Sequence, residues 1–333
     1  MSSTHPPGSP TPAAVVRREF PGGSRQSRWV ERTLRTTVRP LINAWSRHPD
    51  ARWPYRLVDW TGRALVARPV ARTRVALPNC PATLQVPANR RPGRFILYLH
   101  GGGFIVGGRN LHRQMTARFA TDTGAELLAV DYRKVPRHTI PDAVADCVDG
   151  YERALSWGFA PESIVIMGDS AGATLTLMTA LELRRRGLPQ PAALVVMSPL
   201  TDFENDAKFT APSAHADAIF STVAAPILAD FLIRTGAATT VPAPARADLT
   251  GLPPTLIQVS STELLYPDGV LMAQRLHEHG VPCELQVWDR QVHIFQAAAA
   301  IAPEAAAAVA EIRDFVDRHF GASTGSGADR RTA

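Results

Sequence analysis

Lysine is almost missing from this chain. Only Lys134 and Lys208 stand beside 34 arginines in 333 residues, and alanine is abundant. Such a bias follows more simply from a GC-rich genome than from a nucleic-acid surface, because no base-reading or RNA-binding signature accompanies it. Cysteine is scarce as well. Cys80, Cys147 and Cys283 are odd in number, far apart and without a CxxC, which argues against a disulfide framework and for buried or free thiols in a reducing cytoplasm. No apolar stretch approaches the ~18 residues of a membrane span, and the N-terminal region lacks the basic, apolar, small-residue order of a secretory signal. The expectation is a soluble, cytoplasmic protein. Acidic residues are few at the front: residues 1 to 75 hold 14 Arg against four acids, or +10, which leaves −4 for the remainder of a chain whose net charge is +6.

The length suffices for one large α/β domain or two ordinary ones, and a single strand-helix alternation from about residue 73 to 320 favours one. Residues 1–26 and 321–333 are rich in Pro, Gly, Ser and Thr and read as disordered tails. Val30, Leu34, Val38, Leu41, Ile42 and Trp45 recur at helical spacing opposite Arg28, Arg32, Arg35 and Arg39, giving a basic amphipathic helix. Antiparallel strands are expected at 72–77 and 83–86. Further strands follow at 95–99, 126–130, 164–167, 193–197, 255–259 and 284–288, alternating with helices near 111–120, 141–156, 172–186, 267–279 and 303–319. Between 199 and 251 the strand rhythm stops. Phe203, Phe209, Phe220, Phe231 and their aliphatic neighbours there read as the core of a cap, with one or two side chains lining a pocket.

Two glycine motifs carry chemistry. Gly168-Asp169-Ser170-Ala171-Gly172 lies where the β-branched run 164–166 ends and a helix-forming run begins, the setting of a nucleophile elbow. By composition such a GxSxG arises about 0.1 times by chance in a chain this long, so the strand-turn-helix context is what gives it weight. The second motif, His100-Gly101-Gly102-Gly103-Phe104, follows the apolar strand 95–99 and is expected by chance only about 0.002 times. Bare glycine amides can approach a reacting carbonyl. With the amide after the nucleophile they form an oxyanion hole, here Gly102, Gly103 and Ala171.

A serine nucleophile needs an imidazole base and a carboxylate to orient it. Where the serine sits on such an elbow, the acid and then the histidine follow it in the chain. His277, His279 and His319 lie in polar helical stretches and read as surface residues, and His215 falls in the cap segment. His293, a short loop after the strand 284–288 and before the final helix, is the expected base. Two carboxylates compete for the orienting role. Glu263 sits just past the strand 255–259, where open sheets place site residues; Asp268, at the start of the next helix, reads equally well as a helix-start charge. The expectation assigns Glu263.

These segments resemble the hormone-sensitive-lipase-like family of α/β hydrolases, over roughly residues 70 to 320. Beside HGGG and GDSAG, the likeness rests on Asp131-Tyr132-Arg133 with Pro136 and 141–144, on 198–202, and on 252–257. The resemblance implies an α/β-hydrolase fold with a mostly parallel sheet of about eight strands. A helical cap would come from residues 27–70 and from an insertion at 200–250, after the sixth strand, leaving 71–199 and 251–320 as the catalytic domain. It carries over Ser170 as nucleophile, His293 as base and Gly102, Gly103 and Ala171 as oxyanion hole, and aligning the following helix puts Glu263 on the family's acid. The sequence departs from the family's usual His-Gly-Phe with His293-Ile294-Phe295, and from Leu-Ala-Pro-Glu with residues 134–137.

The function expected is therefore a serine carboxylesterase acting on small esters of short to medium acyl chains, with no metal or cofactor. A deacetylase or lactonase would use the same apparatus; a non-catalytic ligand-binding homologue would not need all of it. No nucleic-acid partner is expected. Cap is favoured over membrane surface for the basic helix, and a homodimer stays open.

Overall fold

The computed structural model describes residues 15–64, 68–204, 206–235 and 243–321. Strand β1 (Val16–Phe20) leads into the long helix α1 (Arg25–Arg47) and then α2 (Tyr55–Thr61). Strands β2 (Ala71–Ala76) and β3 (Pro81–Val86) precede the alternating body: β4 (Phe95–Leu99), α3 (Arg113–Thr123), β5 (Glu126–Val130), α4 (Ile140–Ser156), β6 (Ile164–Asp169), α5 (Ala171–Arg185) and β7 (Ala193–Met197). After β7 come α6 (Ala207–Thr210), α7 (Pro212–Ala216) and α8 (Ala224–Arg234), and the alternation resumes with β8 (Thr255–Ser260), α9 (Tyr266–Glu278), β9 (Cys283–Trp288) and α10 (Pro303–His319).

All the strands join one sheet in the order β1-β9-β8-β7-β6-β4-β5-β3-β2. Among the described residues only the β2–β3 and β3–β5 pairings are antiparallel. Strands β4 to β7 are buried along their whole length and are apolar apart from Glu126 at the start of β5 and Asp169 at the end of β6, because helices cover both faces of the sheet. Side chains divide with the two-residue period of a strand. Leu97, Ile166, Val196 and Ile257 pack with α4, α5 and α9 on one face, whereas Tyr98, Val165, Met167 and Val195 pack with α3 and α10 on the other. Local signals agree with this arrangement. Helix α4, for example, starts with a capping box in which Thr139 accepts from the Asp142 amide and Asp142 from the Thr139 amide, with Pro141 in the first turn.

The expected N-terminal tail is corrected in part. Residues 16–20 form β1, which pairs parallel with β9 from Val16–Glu284 to Phe20–Trp288 and gives a sheet of nine strands rather than about eight. Phe20 stacks on Trp288 with ring centroids 4.1 Å apart, and Arg18 forms ion pairs with Glu284 and Glu311. These partners lie far away in sequence, so nothing local marks the strand. Residues 1–14 and 322–333 of the expected tails, and 65–67, 205 and 236–242 of the expected cap segments, lie outside the described residues.

Because β4 and β6 to β9 all run parallel, the loops after their C-terminal ends gather along one edge of the sheet, where open α/β sheets bind ligands. The loops after β4, β6, β8 and β9 contain Gly102 and Gly103, Ser170, Glu263 and His293 respectively.

Candidate active site

The chain between β6 and α5 turns so sharply that Ser170 takes φ 52° and ψ −122°, a conformation that costs a non-glycine residue roughly 1–3 kcal/mol. Its flanking glycines are there for space. A Cβ on Gly168 would lie 2.3 Å from the Gly172 carbonyl oxygen, and one on Gly172 only 2.0 Å from the Leu99 carbonyl oxygen. The strained turn brings Ser170 Oγ to 2.9 Å from His293 Nε2. On the other side of the ring, His293 Nδ1 lies 2.7 Å from Glu263 Oε2. The second Glu263 oxygen accepts from Ser198 Oγ at 2.9 Å and from the Ser260 amide at 2.8 Å. Ser170, His293 and Glu263 are all buried.

Burial by itself lowers the pKa of the His293 imidazole. The hydrogen bond and charge of Glu263, with the charges of Asp217 and Asp169, outweigh it and hold the ring above its ordinary value of 6.5. A hydroxyl, an imidazole and a carboxylate in unbroken contact can pass a proton from Oγ to the ring and stabilise the imidazolium that results.

Gly103, Ser170 and Ala171 line one cavity. Ala171 opens α5, so its amide has no carbonyl partner within the helix, and the helix N-terminus favours negative charge there. Gly102 is not among the residues lining this cavity; it takes φ +120°, and a Cβ there would lie 2.3 Å from the Val106 carbonyl oxygen. Its own carbonyl accepts from the Ile105 and Val106 amides. Asp169 ties this loop to the elbow by accepting from the Gly101 amide at 3.0 Å and from Tyr98 Oη.

The cavity has about 560 Å³ of empty space, part of it open to solvent. Phe203, Phe209, Phe220, Leu228 and Leu232, from the segment between β7 and β8, form much of its wall. Phe231 is buried elsewhere, its ring set edge-on to Trp45 of α1. The wall around Ser170 is thus apolar, suited to a hydrocarbon chain.

Asp268 does not reach His293. Its carboxylate accepts from the Thr201 amide at 2.8 Å and from Lys208 Nζ at 2.9 Å, with both charged side chains fully buried. The reading of Asp268 as a simple helix-start charge is therefore too weak: it anchors the segment after β7 to α9. The remaining histidines also lie apart from the serine. His279 and His319 donate to carbonyls one turn back in their own helices, and His215 is exposed. Sequence reading missed Ser198, Asp217 and Lys208 as parts of this neighbourhood. Among the described residues no cluster of three or more His, Cys, Asp or Glu side chains could hold a metal ion, and no helix is long and apolar enough to cross a membrane.

Residues 96–297 match the family described by the alpha/beta hydrolase fold. The chain belongs to that family. It is 38% identical over 292 residues to esterase LipU of Mycobacterium tuberculosis, covering 84% of this chain and 98% of LipU. Carboxylesterase/phospholipase LipF of the same organism is 36% identical, with 89% of this chain and 82% of LipF covered. A solved esterase from the bacterial hormone-sensitive lipase family superposes with a TM-score of 0.79 at 30% identity, over 90% of this chain and all of that one. These likenesses place the chain in the hormone-sensitive-lipase-like branch of the α/β hydrolases.

Proposed function

We propose that this chain cleaves esters of short to medium acyl chains through a Ser170-His293-Glu263 triad and an acyl-enzyme intermediate. That it is a carboxylic ester hydrolase follows from its kinship with the esterases above; the residues and the chain length are the proposal. The contacts of 2.9 Å and 2.7 Å on either side of His293 support it most. In this reading His293 takes the proton of Ser170 as Oγ attacks the ester carbonyl, and the oxyanion forms against the amides of Gly102, Gly103 and Ala171. The imidazolium then protonates the departing alcohol, and a water molecule repeats the sequence on the acyl-enzyme, releasing the acid and free Ser170.

Residues 27–70 and 200–250 act as the cap: the second segment supplies the apolar wall that bounds the acyl chain, and the first packs behind it, Trp45 against Phe231. An acetyl-hydrolase of Streptomyces hygroscopicus is 34% identical over 71% of this chain and 79% of its own, which keeps the acetyl group within the proposed range. The substrate is a small molecule, and the site uses no metal or cofactor. Hydrolysis rates across p-nitrophenyl esters from acetate to palmitate test the reading. The expected profile peaks between about two and eight acyl carbons. A maximum at palmitate would refute the chain-length bound, and no hydrolysis anywhere in the series would favour a ligand-binding homologue instead.

A further inference from the structure

Asp217, at the end of α7, is fully buried although it sits in a segment of little regular structure. A buried carboxylate is costly unless its oxygens are paired, and these are. Oδ1 accepts from the amides of Ile219 at 2.6 Å and Phe220 at 2.8 Å, and Oδ2 accepts from the Leu264 amide at 2.7 Å. Two of the three partners lead to the proposed triad. Leu264 follows Glu263 in the chain, and the Phe220 ring stands edge-on to His293 with centroids 5.2 Å apart at 77°. One side chain from the segment between β7 and β8 thus fixes both the backbone beside the acid and the ring against the base. The N-terminal segment completes the brace: Arg35 and Arg39 of α1 donate to the carbonyls of Ala216 and Asp217 at 2.7 Å and 2.9 Å.

We infer that Asp217 is a positioning residue for the Glu263–His293 pair, joining the N-terminal helix and the β7–β8 segment to the reacting centre. The inference rests on the esterase reading above. Its physical content is twofold. Hydrogen bonds to Leu264 and Phe220 hold Glu263 and the imidazole where the contacts to Ser170 are made, and misplacement of about 1 Å at such a centre costs roughly 100-fold in rate. The charge of Asp217 also acts on His293 together with those of Glu263 and Asp169, the three favouring the imidazolium against burial. A residue with a merely structural role would supply the first effect but not the second.

The test is the pH dependence of kcat/KM for p-nitrophenyl butyrate in wild type, Asp217→Asn and Asp217→Glu, with melting curves for each. Asp217→Asn is expected to lose roughly 100-fold in kcat. Its acid limb should move to lower pH, because removing the carboxylate charge makes His293 easier to deprotonate. Asp217→Glu keeps the charge, so its limb stays near that of wild type while kcat falls. Wild-type kcat and an unmoved limb in a folded Asp217→Asn protein overturn the proposal. If Asp217→Asn does not fold, Arg39→Ala decides: several-fold loss of kcat with an unmoved limb supports the brace, and unchanged kcat overturns it. Should wild type neither hydrolyse the ester nor take a fluorophosphonate on Ser170, the esterase reading itself falls. Asp217 would then have no triad to position.

Discussion

Replacing Glu263 with Gln changes the charge and one donor while keeping the volume. In the native site Oε1 is fixed by two donors, Ser198 Oγ and the Ser260 amide, and Oε2 faces His293 Nδ1. The Gln carbonyl oxygen will take the place of Oε1, because the opposite orientation would set its NH2 against the Ser260 N–H. Leaving such a buried donor unpaired costs about 1–3 kcal/mol. The amide nitrogen then points at Nδ1 and must donate to it, which forces the imidazole proton onto Nε2. That nitrogen faces Ser170 Oγ and can no longer accept its proton. With the stabilising charge also gone, the expected loss is ~1,000- to 10,000-fold in kcat, or about 4–5.5 kcal/mol at 1.36 kcal/mol per tenfold. The control is Asp268→Asn. It breaks a buried pair with Lys208 and should lower stability by about 3–5 kcal/mol while the folded fraction keeps its kcat. Burst-corrected kinetics on p-nitrophenyl butyrate beside thermal melts separate the two effects. An active Glu263→Gln with a folded but inactive Asp268→Asn would refute the reasoning and reassign the acid.

Ser170→Ala should abolish turnover with its melting temperature preserved, and a fluorophosphonate should label wild type once and this variant not at all; persistent labelling would move the nucleophile elsewhere. His293→Ala should cost about as much as losing the serine, since triad members act as a unit, and an active His293→Ala would remove the imidazole from the mechanism. In wild type, log kcat/KM should rise with pH through an acid limb centred above 6.5, because the net effect on His293 raises its pKa and the base works only when neutral. A limb centred well below 6.5 would mean that burial, rather than Glu263, governs the ring.

The sheet was readable wherever burial on both faces left an apolar run: β4, β5, β6 and β7 lie where their residues announce them. Ser170 was equally legible, because the close approaches around it exclude any side chain at 168 and 172 and so write glycine into the sequence. β1 was not. Its residues include Arg17, Arg18 and Glu19, a pattern that in isolation looks solvated, and its partners only appear when β9 is in place. Glu263 and Asp268 are both carboxylates just after β8, and spacing alone gave little reason to separate them; the difference lies in what each meets in space, His293 for one and Lys208 for the other. Asp217 was legible at most as a turn residue, since its bonds to the Ile219 and Phe220 amides are local, whereas its bond to the Leu264 amide spans 47 residues. A lone acid between Pro212 and Phe220 becomes informative about the site only when its contact with the Leu264 amide is known.

The outer position of β1 also constrains the order in which the molecule can be completed. Arg18 and Glu284 are 266 residues apart, so β1 must wait for that much more chain to be synthesised before its ladder partner exists. At ~5–20 residues per second that interval is about 13 to 53 s. Throughout it the strand and the arginine-rich helix behind it are unsatisfied, and the high sequence separation of the pairing makes its closure a late event in folding. Charge serves this waiting period well, since Arg17, Arg18 and Glu19 keep an unpaired strand from templating another chain. The residues that make β1 hard to recognise are thus the ones that keep it safe until β9 arrives.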